Sequence, residues 1–328
     1  MTRVPAAVVD AARGLRGAGL GAVREVCWRT YLRYGRHLEA DPVFEADWDL
    51  LVVLDACRAD LWAEVVGPDG GLPVGTTRTS PAGTSTEWLE AVFGARSAAE
   101  LAGVGYVTAN PYSADHVDGD ALGYLREVWR DAWDDDRGTV LPRAVTDAAV
   151  RAGRETDLDR LVVHYLQPQF PCIADGHAGG ATGGEPTRGR DDGPAIEAWV
   201  DRPLAVWDDL RVGRRSTADV WATYRANLEA VLDDVRLLVS NVDADRAVIT
   251  ADHGTAVGER GIYGHAAGLA LAALREVPWA VTTATDGGRY QPPPGDVRSE
   301  SDEPGTDAPV TAQGTSRSAA RASPAAWP

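Results

Sequence analysis

Four short stretches of this sequence carry side chains able to do chemistry together. Val248-Ile249-Thr250-Ala251 runs directly into Asp252-His253-Gly254, with Gly264-His265 downstream. Leu50-Leu51-Val52-Val53-Leu54 ends abruptly in Asp55-Ala56-Cys57-Arg58, and His164 lies between Val163 and Tyr165. Ser80-Pro81-Ala82-Gly83-Thr84-Ser85-Thr86 supplies four hydroxyls. A carboxylate and an imidazole side by side at the end of a strand can reach one divalent cation. A hydroxyl is a poor nucleophile until a cation or base strips its proton. Developing negative charge in such a site calls for cationic donors. All 32 basic residues are Arg, so these must be Arg or His, and a Lys Schiff base or P-loop lysine is excluded.

Each residue also has a plainer reading. Asp55 and Arg58 can pair to cap a helix, and Thr84 with Glu87 matches a capping box. His164 can be a hydrogen-bonded structural histidine. Asp175-Gly176-His177 reads as solvated loop, and Cys57 as a small core residue.

The elements that must position these groups follow from apolar patterning. Continuous apolar runs at 48–54, 105–108, 160–165, 247–250 and 279–281 predict strands buried on both faces. Helical spacing is expected over Asp120–Trp133, Pro142–Gly153 and Thr217–Val242. The alternation predicts an α/β fold with a mainly parallel central sheet and helices on both faces. Polar residues at the carboxyl ends of such strands are the usual place for a site. Residues 1–45 form an N-terminal helical segment, with Trp28, Tyr31 and Leu32 expected on one face. Residues 46–286 form the catalytic domain, with 174–215 as a loop or lid insertion and 287–328 as a disordered acidic, Pro-, Ser- and Gly-containing tail.

Composition bounds the function class. The 328 residues hold 49 acidic against 32 basic side chains, a formal charge of −17, which disfavours both nucleic acid and an anionic membrane as partners. A carboxylate-rich, Lys-free chain suits a high-salt cytoplasm, although a GC-rich genome produces the same bias. The three cysteines show no disulfide or zinc-ribbon spacing. No apolar run is long enough for an integral membrane segment. A cytoplasmic location is the expectation, and the oligomeric state is left open.

Taken in order, the motifs resemble those of the alkaline phosphatase and sulfatase superfamily. Leu54-Asp55-Ala56-Cys57-Arg58 is similar to its first metal-binding strand, and Ser80 to Trp88 to its nucleophile turn in threonine-using members. His164-Tyr165-Leu166-Gln167-Pro168 resembles its His-Tyr-x-x-Pro segment, and Tyr224 to Leu228 the helix before Asp-His-Gly. Gly264-His265 and Val277-Pro278 look like the closing elements. The resemblance covers roughly 48–284 and implies an alkaline-phosphatase-like fold and a metal-dependent hydrolase or transferase of phosphate or sulfate esters, working through a covalent Thr intermediate. The ion would be held by Asp55, Thr84, Asp252 and His253, with Mn²⁺ or Zn²⁺ favoured over Ca²⁺ because His253 offers nitrogen. Thr84 is the expected nucleophile, with Ser85, Thr86 and Ser80 as alternatives. Arg58, His164 and His265 are the candidate charge-stabilising groups, and His265 also the general acid, its ordinary pKa near 6.5 suiting that task. Gln169 stands where many members have a second histidine, placing it with His164 in substrate binding. Asp175, His177 and His265 are the residues available for a second metal. The chain lacks the sulfatase Cys-x-Pro-Ser-Arg, which moves the expectation toward phosphate. The substrate is a small-molecule, glycan-linked or lipid-linked ester. Head-group transfer between lipid- or glycan-linked alcohols is the alternative, and a degenerate binding protein of the same fold a further one.

Overall fold

Leu50–Leu54 contains no polar side chain, and it lies in the centre of a seven-stranded sheet. The structure, a computed structural model, describes residues 20–67, 71–174 and 205–294. In chain order the elements are α1 (Leu20–Tyr34), β1 (Leu50–Leu54), α2 (Ala59–Val66), β2 (Thr76–Thr79), α3 (Ser85–Leu89), β3 (Val104–Thr108) and β4 (Tyr124–Glu127). There follow α4 (Pro142–Glu155), β5 (Arg160–Tyr165), α5 (Ala205–Arg211), α6 (Thr217–Val239), β6 (Ala244–Thr250) and β7 (Glu276–Ala284). Residues through Pro293 cluster as one unit; the second, Pro294–Pro328, lies outside the described residues save for Pro294.

The sheet order is β2-β7-β6-β1-β5-β3-β4. β6, β1, β5, β3 and β4 pair in parallel, and β7 runs antiparallel to both β6 and β2. Both faces of the central strands are covered. Leu50, Val52 and Leu54 face a core shared with Val163, Ile249 and the α4 and α6 residues Val145, Ala149, Leu228 and Val235. Leu51 and Val53 face the opposite core with Val162, Val248, Tyr106, Trp88 and Phe93. The alternation follows from the strand period of two. Burial of each such Leu or Val contributes roughly 1.5–3 kcal/mol against exposure.

Several expectations change. Asp120–Trp133 is not one helix: a 3-10 turn at Gly119–Ala121, strand β4 and a short helix at Trp129–Ala132 replace it. The open edge of β3 offers Tyr124–Glu127 backbone partners, which outweighs helical spacing. Gly123 fits there because a β-carbon would lie 2.3 Å from the Ala102 carbonyl. In α1, Trp28 and Leu32 pack inward while Tyr31 faces solvent. Residues 287–293 do not all behave as a free tail: Tyr290 Oη donates to Asp147 at 2.6 Å, and its carbonyl accepts from Arg154 at 2.9 Å. Of the 174–215 insertion, residues 175–204, including Asp175 and His177, lie outside the described residues, as does the tail beyond Pro294. The far end of the 174–215 insertion contains α5.

Candidate metal centre

The carboxyl ends of four adjacent strands converge on one buried point. β1 delivers Asp55, β6 delivers Asp252 and His253, β5 carries His164, and beyond β3 comes Asn110. His164 is in register with Val53 of β1 and Thr108 of β3, so its ring rises from the face shared with Trp88 and Tyr106. α3 lies over that face with Trp88 and Leu89 buried, which aims its first residue, Ser85, at the strand ends.

The Ser85 hydroxyl lies 2.7 Å from Asp252 Oδ2, 3.3 Å from Asp55 Oδ2 and 3.3 Å from His253 Nε2. His253 Nε2 lies 3.8 Å from Asp55 Oδ1 and 3.5 Å from Asp252 Oδ2. His164 Nε2 lies 4.0 Å from Asp55 Oδ2 and 3.8 Å from Asp252 Oδ2. Donors held tetrahedrally at about 2.1 Å from one ion stand roughly 3.4 Å apart, so most of these separations are close to ligand–ligand edges. Among the described residues, Asp55, His164 and Asp252 offer ligand atoms that all lie within 4.8 Å of one another.

Two of these atoms, Asp55 Oδ1 and His164 Nε2, are buried without a hydrogen-bond partner. Buried polar groups are normally paired, and a cation satisfies both an unpaired carboxylate oxygen and an imidazole lone pair. Each ligand is also held from behind. Asn110 Nδ2 donates to Asp55 Oδ2 at 2.9 Å, and the Ala56 amide donates to Asp252 Oδ1 at 3.0 Å. Tyr106 Oη pairs with His164 Nδ1 at 2.9 Å, and His253 Nδ1 with the Gly254 carbonyl at 2.8 Å, leaving both Nε2 atoms facing the centre. Two nitrogens and two carboxylates fit Zn²⁺ or Mn²⁺ better than the all-oxygen preference of Ca²⁺.

Burial, reinforced by the Asp252 charge, pushes Asp55 well above the usual carboxylate range. Burial acts on Asp252 in the same sense, but the histidines, the Ala56 amide and the Ser85 hydroxyl outweigh it and hold that carboxyl low. Burial lowers His164 to about 4.

The expected site residues do not all come together. Of the four hydroxyls, only Ser85 meets the carboxylates. Thr84 caps α3, accepting from the Glu87 amide at 3.4 Å, with its oxygen 3.2 Å from that of Thr86. Ser80 donates to the Asp252 backbone carbonyl. His164, expected to bind substrate, lies with Asp55 and Asp252 in the group of side chains that could hold an ion. Arg58 is also turned to other work: Nη2 reaches Asp60 at 2.6 Å, and Nη1 Glu259 at 2.5 Å. Burial opposes its charge, but these two carboxylates more than offset that. His265 lies beside His253, ring centroids 4.8 Å apart, with Nδ1 buried and unpaired. Burial, reinforced by His253, pushes its pKa down to about 3. Gln169 donates its backbone amide to the Asp55 carbonyl at 3.0 Å, while its Oε1 is buried without a partner.

Sequence reading missed Asn110, Tyr106 and Asn227. Asn110 had a legible signal, a polar residue just past the apolar strand Val104–Thr108. Asn227 Nδ2 donates to the Pro168 and Gln169 carbonyls, each at 2.9 Å, holding the segment beside Asp55. Gly254 is needed for packing: a β-carbon there would lie 2.3 Å from the Ala273 carbonyl.

No family model matches the chain, and no curated protein does. Among solved structures, it is similar to the integral membrane lipooligosaccharide phosphoethanolamine transferase EptA of Neisseria meningitidis, at 13% identity and TM-score 0.48, over 85% of this chain and 59% of that one. The chain therefore spans less than two thirds of that protein. It is also similar to the periplasmic domain of the phosphoethanolamine transferase EptC of Campylobacter jejuni, at 14% identity and TM-score 0.45, covering 71% of this chain and 78% of that one. A putative sulfatase of Bacteroides thetaiotaomicron matches at 12% identity and TM-score 0.41, covering 72% and 64% respectively. Likenesses of this size leave the reaction to be read from this chain's own side chains.

Proposed function

We propose that the chain is a metal-dependent enzyme of phosphate esters in the alkaline phosphatase and sulfatase superfamily, with Ser85 as its nucleophile. The observation that carries the reading is the Ser85 hydroxyl, set among Asp55, Asp252 and His253 beside two unpaired buried donor atoms. Asp55, Asp252, His164 and His253 would hold the ion. A divalent cation there would lower the pKa of a bound hydroxyl and polarise an ester oxygen.

The residues themselves do the rest. Asp55, the more basic of the two carboxylates, lies with Oδ2 3.3 Å from the hydroxyl and is placed to take the Ser85 proton, while Asp252 Oδ2 at 2.7 Å orients it. The Ser85 oxygen then bonds to phosphorus as the ester P–O bond breaks, and the leaving alkoxide takes a proton from solvent. Attack by water or a second alcohol on the same phosphorus breaks the Ser85–phosphorus bond, Ser85 recovers the proton held by the carboxylate, and the attacking oxygen loses its own to solvent. Asn110, Tyr106 and the Gly254 carbonyl keep the ligands in place throughout, and the Gln169 amide holds the Asp55 backbone.

The test is turnover of an aryl phosphate monoester and diester with added Mn²⁺ or Zn²⁺, together with metal analysis of the purified chain. Ser85→Ala is expected to lower turnover by about a thousandfold or more, and Thr84→Ala by less than about tenfold. An unchanged rate for Ser85→Ala, or a folded and active sample without a stoichiometric divalent ion, overturns the reading. A rate that climbs with added alcohol identifies transfer; a rate indifferent to it identifies hydrolysis.

A further inference from the structure

Every nitrogen of the Arg58 guanidinium is bonded to the protein. Nε donates to Asp60 Oδ1 at 2.8 Å and Nη2 to Asp60 Oδ2 at 2.6 Å. Nη1 donates to the Thr255 carbonyl at 3.0 Å and to Glu259 Oε1 at 2.5 Å. The residue is 8% exposed, and its guanidinium lies over the Trp221 ring, 5.0 Å from the centroid. Its backbone amide donates to the Tyr224 hydroxyl at 3.2 Å. Asp60 is a neighbour in sequence, at the start of α2. Thr255 and Glu259 stand 197 and 201 positions away, in the segment that follows His253.

That segment sets the orientation of His253. Its Nδ1 donates to the Gly254 carbonyl at 2.8 Å, which turns Nε2 toward Asp55 and Asp252. The next carbonyl along the chain is that of Thr255, the acceptor of Arg58. Gly254 also packs on the same side chain, since a β-carbon there would lie 3.1 Å from Arg58 Cγ. Glu259 closes the turn, taking the Val257 amide on Oε2 at 2.7 Å and Arg58 on Oε1. One guanidinium, three residues past Asp55, thereby joins the chain after β1 to the chain after β6. A planar fork of charged donors fixes its acceptors in direction as well as distance, which the point charge of a lysine does not.

We infer that Arg58 is a positioning residue for the candidate centre: by holding the Thr255 carbonyl and Glu259 it fixes the Gly254 carbonyl, and with it the His253 ring, so that Nε2 faces the site of the ion. This deepens the metal-dependent reading proposed above and rests on it, and it gives Arg58 the setting of His253 in place of charge stabilisation.

The test compares Arg58→Lys and Glu259→Gln with Arg154→Lys in the full chain. Arg154 is the control: it pairs with Asp286 and reaches Asn241 before β6, whereas His253 follows that strand. Zn²⁺ affinity is read by competition with a chelating dye. In the chelator-treated protein, the Nδ1–H resonance of His253 is read by ¹H–¹⁵N spectra among the six histidines. Arg58→Lys is expected to weaken affinity about 10- to 100-fold and to lose the slowly exchanging Nδ1–H; Glu259→Gln, which keeps Arg58, weakens affinity about tenfold. Arg154→Lys lowers the melting temperature and leaves both readouts as in the parent. Parental affinity in Arg58→Lys, a His253 resonance that survives both variants, or equal losses in Arg154→Lys overturns the inference. Should Arg58→Lys not fold, Glu259→Gln decides on the same terms. A parent chain that binds no divalent ion removes the phosphoester reading, and the His253 resonance still decides the role of Arg58.

Discussion

A single residue step separates Thr84 from Ser85, and that step decides which hydroxyl meets the carboxylates. Thr84 has extended backbone angles and caps the helix, whereas Ser85 is its first turn and points at the strand ends. Thr84→Ala should therefore behave as a lost cap, costing about 1 kcal/mol of stability by denaturant titration, with most turnover retained. The groups behind the ligands are testable as well. Asn110→Ala removes the donor on Asp55 Oδ2, and Tyr106→Phe the partner of His164 Nδ1. Each is expected to weaken divalent-ion affinity about 10- to 100-fold, read by competition with a chelating dye. Unchanged affinity would mean that these hydrogen bonds do not orient the ligands. Ala56 adds a local constraint, sitting at φ 61° while its amide holds Asp252. A β-branched residue there would be strained, so Ala56→Val is expected to lose both stability and metal.

At the scale of elements, α6 does more than cover the sheet. Its Asn227 gathers the carbonyls of Pro168 and Gln169 and accepts from the Ile173 amide at 3.0 Å, and its Tyr224 hydroxyl bonds the Ala56 carbonyl. One helix thereby ties the ends of β1 and β5 together around the site. Asn227→Ala would leave several buried backbone groups unpaired, each costing about 1–3 kcal/mol. A large fall in denaturant midpoint is expected; a wild-type midpoint would show that the 168–173 segment is held by other means. The same element shows why its function was hard to read in advance. Its buried apolar positions are periodic and legible, but Asn227 is a polar residue in a helix whose partners arrive from fifty-odd positions away. Asp120–Trp133 illustrates the converse, since its spacing is helical while the unpaired edge of β3 recruits it as strand.

For the whole molecule, net charge sets a global term that no single contact reveals. A chain at −17 repels itself at low ionic strength, and raising salt from about 0.1 M to 1 M shortens the Debye length from about 10 Å to 3 Å. The proposed adaptation to high salt then implies a melting temperature that rises with KCl over that range. A flat or falling melting temperature would favour the GC-rich explanation for the missing lysines.

Strand ends bearing Asp55, Asp252 and His253 were legible in the residues themselves, because a fully apolar run that stops at a charge has few other uses in an open α/β sheet. The parallel core and the long helices α4 and α6 were legible for the same local reason, their period. Which hydroxyl meets the carboxylates, the approach of His164 Nε2 to Asp55 and Asp252, the pairing of Arg58 with Asp60 and Glu259, and the support from Asn110 were decided only by tertiary structure. Each depends on the rotation of one side chain relative to strands far away in sequence, and local patterning carries no information about that rotation.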